Sequence, residues 1–315
     1  LIEPWLFNVP VRFSGSVYNE IKAYSEFNRE RFGGSVSFGH RLFKTDWTAF
    51  ADYRLETNEI SDLEDDAKIV YHSEEGKRLL SQLGLSVKHS TIDFPLFTTS
   101  GHLVRAGLNL AGGPVGGDDD FVNVELAANQ YFPVWRNRDG FRHVLRLSAK
   151  FEAVEPFGRN EKVPAFYRLY AGGVTGNAIR GFDYQTVTPR DDDVNVGGER
   201  MWLATAEYSF PILPQPAPTG TYRLAPDDYF AHYQRELIRL VFYVDAGEVW
   251  RPSGDPVYFF TDTEGMRLSY GWGILFKVPN LGAPLKFFFS RIHRKQDGDQ
   301  TDDFQFWIEY FSSSF

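Results

Sequence analysis

Apolar residues recur in this chain at every second position, over and over. In "WLATAEYSF", Trp202, Ala204, Ala206, Tyr208 and Phe210 fall on one face and Leu203, Thr205, Glu207 and Ser209 on the other. This is the period of a β-strand. "RLSYGWGILFKV" repeats it, with Leu268, Tyr270, Trp272, Ile274 and Phe276 opposed to Ser269, Gly271, Gly273 and Lys277. A soluble sandwich seldom sets its bulkiest aromatics opposite glycines and charges, whereas a lipid-facing wall around a polar interior does.

Twelve such segments lie near 10–22, 31–43, 47–60, 80–92, 101–112, 120–134, 141–154, 200–213, 236–250, 266–278, 284–293 and 303–313. Each has about the length a tilted strand needs to cross a bilayer. Short turns such as "FKTD", "WRNRDG" and "NLGA" are set against long polar inserts at 61–79, 155–199 and 214–235, and this reads as short turns at one end of a barrel and long loops at the other. A soluble sandwich or propeller is the competing reading, and the aromatic outward faces weigh against it. The expectation is an all-β chain: one transmembrane antiparallel β-barrel domain over residues 1–315, with twelve strands.

Composition fits this and removes other classes. The 29 Phe, 16 Tyr and 7 Trp exceed what a soluble core of this size needs, yet mean hydropathy is -0.34. No run of about eighteen apolar residues offers a transmembrane helix. Cysteine is absent and the formal charge is -9, with no basic cluster to neutralise phosphates, so no nucleic-acid partner is expected. No G-x-S-x-G elbow, H-E-x-x-H pair, Walker loop or dinucleotide fingerprint occurs, and the histidines at 40, 72, 89, 102, 143, 232 and 293 lack ligand spacing. Neither enzymatic activity nor a cofactor or metal is expected. "DGDQTDD", with Asp297 and Asp299, lacks the bidentate Glu of a calcium loop and reads as a solvated turn; "GGPVGGDDD" reads as a hairpin turn.

The run "FYRLYAGGVTGNAIRGF" resembles the [FY]-x-A-G-G … [VI]-R-G-[FY] signature of the BamA/TamA-type outer-membrane assembly superfamily, where it forms the long sixth extracellular loop folded back into the barrel. "MWLATAEYSFPI", "RLVFYVDAGEVW" with its F-x-D-x-G core, and the segment from Met266 to Phe311 resemble the strands that follow; "EPWLFNVPVRFSGSVYNE" and "GGSVSFGHRL" resemble earlier strands. The resemblance implies an inward-folded loop over 165–200, with Gly172, Gly173, Ile179, Gly181 and Phe182 as its motif. It implies that Arg180 is held by Glu207 and Asp245. Alternation agrees independently, since Glu207 lies on the polar face of its segment and Arg239, Val241, Tyr243 and Asp245 lie inside theirs. A planar guanidinium can fork to two carboxylates.

The resemblance also implies a C-terminal assembly signal, for which Phe304, Phe306, Ile308 and Tyr310 stand, with Phe311 and Phe315 beyond. It implies an integral protein of the bacterial outer membrane. Its expected partners are membrane lipids, unfolded outer-membrane protein clients and a second copy of the chain. The sequence departs from the family in showing neither POTRA repeats nor a patatin domain, and in offering twelve strands where sixteen are the norm. Open strand edges in lipid are prohibitive, so the expectation is twelve strands closed on themselves. Three functions stay open: insertion, assembly or translocation of outer-membrane proteins; a structural or lipid-handling barrel, homodimeric through its aromatic wall; and the membrane anchor of a patatin-type phospholipase.

Overall fold

Residues 2–3, 6–23, 28–42, 45–61, 76–93, 98–137, 141–191, 194–214, 236–251, 265–277 and 284–308 are described in a computed structural model of the chain. Their strands are β1 (Ile2–Glu3), β2 (Val11–Ala23), β3 (Asn28–Arg41), β4 (Trp47–Ser61), β5 (Gly76–Ser90), β6 (Gly101–Ala111), β7 (Phe121–Arg136), β8 (Arg142–Pro156), β9 (Arg190–Asp191), β10 (Val194–Asn195), β11 (Arg200–Pro214), β12 (Glu236–Trp250), β13 (Arg267–Lys277), β14 (Pro284–Arg294) and β15 (Phe304–Ile308). All but β9 and β10 pair in chain order in one 13-stranded antiparallel sheet, so every strand neighbours the one before it. The two-residue β1 and twelve longer strands make up this wall of a transmembrane β-barrel.

Alternation becomes two surfaces. On β12, Arg239, Val241, Tyr243 and Asp245 are buried, while Phe242 and Val244 between them are 47% and 46% exposed. On the outer face aromatics stack across neighbouring strands: Trp272 and Phe289 lie 4.5 Å apart between ring centroids, and Phe289 and Phe304 5.1 Å apart. Such cross-strand pairs add to sheet stability while presenting an apolar surface to lipid.

The core lies between the inner face of this wall and the connector from β8 to β11. Leu80, Phe121, Val154, Met201, Leu203 and Val249 of the wall pack with Val163, Leu169, Ile179, Phe182 and Val187 of the connector, all buried. Each such side chain contributes about 1.5–3 kcal/mol when fully buried. A second small cluster joins Val241, Tyr243 and Phe288.

Two expectations change. Among the described residues no ladder joins β15 to β1 or β2, so the ring closure expected from the sequence is not drawn by hydrogen bonds there. β15 spans five residues, the rest of its predicted length lies outside the described residues, and β1 occupies the partner edge of β2 at Phe13 and Ser14. Connector length also does not sort by end. The 157–199 and 215–235 connectors flank the single strand β11 and therefore leave from opposite ends of the sheet. The 215–235 connector thus shares its end with the short turns.

Candidate functional site

Two glycines let the β8–β11 connector fold against the wall. Gly172 has φ +115, and a Cβ there would sit 2.3 Å from the Asp183 carbonyl oxygen; Gly181 has φ +90, and a Cβ would sit 2.6 Å from Ile292 Cδ1. Neither position accepts a side chain. The Gly173 N–H donates to the Phe182 carbonyl at 2.8 Å, closing the "AGG" and "IRGF" halves of the run onto each other. Ile179 and Phe182 are fully buried by this turn, and Arg180 between them reaches β11 and β12.

There it meets two carboxylates. Arg180 Nε donates to Asp245 Oδ2 at 2.7 Å and Nη2 to Asp245 Oδ1 at 2.8 Å, a bidentate fork. Its backbone N–H donates to Asp245 Oδ2 at 3.1 Å, and Nη1 donates to Glu207 Oε2 at 2.8 Å. Arg180 and Asp245 are 5% and 1% exposed. Burial opposes the arginine's charge, but Asp245 and then Glu207 outweigh it and hold the guanidinium above its ordinary range. The structure therefore brings Arg180, Glu207 and Asp245 together.

Several contacts were not read from the sequence. Thr205 Oγ1 donates to Asp245 Oδ1 at 2.9 Å, Ser269 Oγ donates to the Arg180 carbonyl at 2.5 Å, and Arg146 Nη2 donates to Glu207 Oε2 at 3.2 Å. Tyr243 and Phe288 place their rings 3.6 and 5.0 Å from Arg180 Cζ. Gln305 accepts the Gly181 N–H through Oε1 at 2.8 Å and donates to the Phe182 carbonyl through Nε2 at 2.7 Å, tying the loop to β15. Alternation could have found Tyr243, two residues from Asp245, and Gln305, opposite Phe304 and Phe306 on its strand.

The other end of the connector touches the opposite part of the wall. Asn58 Nδ2 on β4 donates to Tyr167 Oη at 3.1 Å and to Glu56 Oε1 at 2.9 Å, and the Tyr18 hydroxyl also donates to Glu56. The Arg29 guanidinium lies 4.2 Å over the Phe166 ring, and Tyr167 stacks on Phe121 at 4.7 Å. Around the clasp a cavity of about 390 Å³ is lined by residues including Arg146, Lys150, Thr175, Glu207, Lys286 and Trp307.

The turns read as solvated or plain are clamped. Asp299 of "DGDQTDD" is buried, accepting from Arg267 Nε and Nη2 at 3.0 Å each and from the Gln296 N–H at 2.8 Å. This is a second arginine fork, because the turn folds over the wall and not into solvent. In "GGPVGGDDD", Asp119 pairs with Arg78, and burial raises its carboxyl while Arg78 opposes the rise. Asp120 accepts from Arg159 Nε at 2.9 Å and from the Gly113 N–H at 2.7 Å; bonds from Arg159 and then Gly113 hold it well below the usual carboxylate range. Phe304 and Phe306 face outward, 45% and 46% exposed, Ile308 is half-buried, and Tyr310 lies outside the described residues. Among the described residues no three His, Cys, Asp or Glu side chains converge as a metal site.

Comparison with known proteins places this geometry. The Omp85 superfamily domain matches residues 1–310. Outer membrane protein assembly factor BamA of Nitratidesulfovibrio vulgaris is 28% identical over 204 residues, covering 64% of this chain and 25% of the relative. BamA of Neisseria meningitidis serogroup B is 25% identical over 220 residues, covering 59% and 25%. The chain thus spans about a quarter of the length of these relatives. Among solved structures, BamA from Haemophilus ducreyi lacking POTRA domains 1–3 superposes with a TM-score of 0.74 at 19% identity, over 97% of this chain and 60% of that one. CdiB from Escherichia coli superposes at 0.55 and 14% identity, over 94% and 48%; these two show a shared fold.

Proposed function

The chain belongs to the Omp85 superfamily and is an integral β-barrel of the outer membrane, and from that premise we propose that it is the membrane-embedded part of a protein that inserts, assembles or translocates outer-membrane proteins. The work is non-catalytic. Unfolded outer-membrane clients are its substrates, and the barrel offers them a wall held in one shape. The observation that carries the reading is the Arg180 clasp, whose fork to Asp245 and bond to Glu207 fix the inward loop to β11 and β12. A buried arginine held by the buried Asp245 and the partly buried Glu207 is costly to desolvate, so a barrel that only needed a filled lumen would do better with apolar residues. The clasp's role is to keep loop and wall in register while a client pairs with the barrel.

The test is reconstitution in liposomes with an urea-unfolded outer-membrane barrel as client. Faster client folding than in empty liposomes, measured by heat-modifiable gel migration, supports the reading. An unchanged client folding rate overturns it.

A further inference from the structure

Away from the lumen, the outer face of β2–β5 carries a groove of about 470 Å³, a volume within the roughly 300–1,000 Å³ that ligand clefts have. Gly34 on β3 is its floor. In register it stands between Val17 of β2 and Leu55 of β4, both exposed, and the exposed Phe32, Val36 and Leu79 complete the walls. The notch is fixed by the backbone, because a Cβ at Gly34 would sit 2.9 Å from the Ser16 carbonyl oxygen.

The hydroxyls beside the groove are already used. Thr57 Oγ1 donates to the Phe32 carbonyl at 3.3 Å, and the Tyr53 hydroxyl shares a 2.8 Å hydrogen bond with Ser81 Oγ. A polar occupant would give up its hydrogen bonds to water and find no replacement from these two groups, whereas hydrocarbon gives up none. Depth is set by a charged row. Lys77, two residues from Leu79 and so on the same face, pairs in register with Glu59, and Glu59 pairs with Glu30; all three are exposed. This row marks the polar rim of the wall, about 7 Å along the strand from Leu79. The groove therefore opens just inside the hydrocarbon, at the level of a lipid chain's first methylenes.

We propose that the groove is a seat for one acyl chain of a membrane lipid, which fills the notch over Gly34 between Val17 and Leu55. A flat stretch of wall touches a chain on one side only, and a notch touches it on three, so dispersion contacts accumulate there. Burying two further methylenes corresponds to about 10-fold higher occupancy. The seat rests on the barrel's place in the outer membrane and not on its handling of clients.

The experiment reconstitutes the folded chain in phosphatidylethanolamine–phosphatidylglycerol liposomes with a trace of phospholipid that carries a diazirine on an upper methylene, and maps the photolabelled residues by mass spectrometry. Expected is labelling of Val17, Leu55 and Leu79 about 10-fold above that of Leu85 and Leu108 on the same outer face. Leu55→Trp, which fills the notch, should bring Val17 and Leu79 down to the level of the flat wall, and Leu85→Trp should leave them unchanged. Unchanged heat-modifiable migration establishes that each variant is folded. Even labelling across the wall, undiminished labelling in Leu55→Trp, or a groove shielded from lipid and cross-linked to a second copy of the chain overturns the seat.

Discussion

Tyr243 offers its ring face to the guanidinium that Asp245, two residues further along β12, grips by its edge: Arg180 Cζ is 3.6 Å from the ring centroid and Nε 2.7 Å from Asp245 Oδ2. Such a contact is worth about 0.5–2 kcal/mol depending on desolvation. Tyr243→Phe keeps the ring and loses the hydroxyl's bonds with Ser290 at 2.6 Å and with the Phe289 carbonyl at 3.5 Å, costing about 1 kcal/mol. Tyr243→Leu should cost more. Urea titrations of the two variants check this order, and equal losses would remove the ring from the account.

Arg180→Ala leaves the buried Asp245 without its forked counter-charge and Glu207 with Arg146, and truncating one partner of a buried pair costs about 3–5 kcal/mol. Arg180→Lys restores a charge but cannot fork, so it should recover only part. The readouts are urea midpoint and heat-modifiable gel migration. Unchanged values for Arg180→Ala would show that the loop is held by its apolar contacts alone.

Gly181→Ala asks for φ +90 from a residue with a Cβ, which would also meet Ile292 and Ser290. A strained backbone of this kind costs about 1–3 kcal/mol before the clash is counted. At Gly176, φ is +64 and nothing lies within 4 Å of a Cβ, so alanine there should cost about 1–2 kcal/mol. Limited proteolysis of the 157–199 connector compares them, with Gly181→Ala expected to be cut sooner.

Acid should loosen the β6–β7 connector. The folded carboxyl of Asp120 is depressed, by Arg159 first, so its stabilisation is complete above the unfolded value of about 4 and is lost as pH falls through the folded one. Asp120→Asn should be less stable than the parent at neutral pH, with the difference shrinking below about pH 4. A difference that grows on acidification would contradict the sign.

The wall was legible because a two-residue period leaves a trace at every strand: twelve segments become twelve strands, most with ends shifted by only a few residues. Arg180, Glu207 and Asp245 were legible through the resemblance of the glycine-rich run to the family loop, and alternation agreed by setting Glu207 and Asp245 on inward faces. Alternation sets Gln305 and Ser269 on inward faces too, but their bonds to the loop were not legible, since an uncharged side chain bonding a loop backbone brings no charge that demands a partner. The apolar interior was missed because Leu169, Val187 and Phe182 sit in a stretch with no strand period. Asp299 was misread because a turn rich in Asp and Gly looks alike whether it faces water or an arginine.

The interior cluster draws its residues from Leu80 through Val249, with Ile292 packed against it. Loop closure over such separations must precede the contacts that reward it, and folding slows accordingly. The first seven of the longer strands can form their ladders, yet they have nothing to enclose until the connector and β11 and β12 arrive. A chain built this way acquires its core late and from its second half. Its slowest step should answer to substitutions at Phe182 and Met201 sooner than to any in β2 or β3.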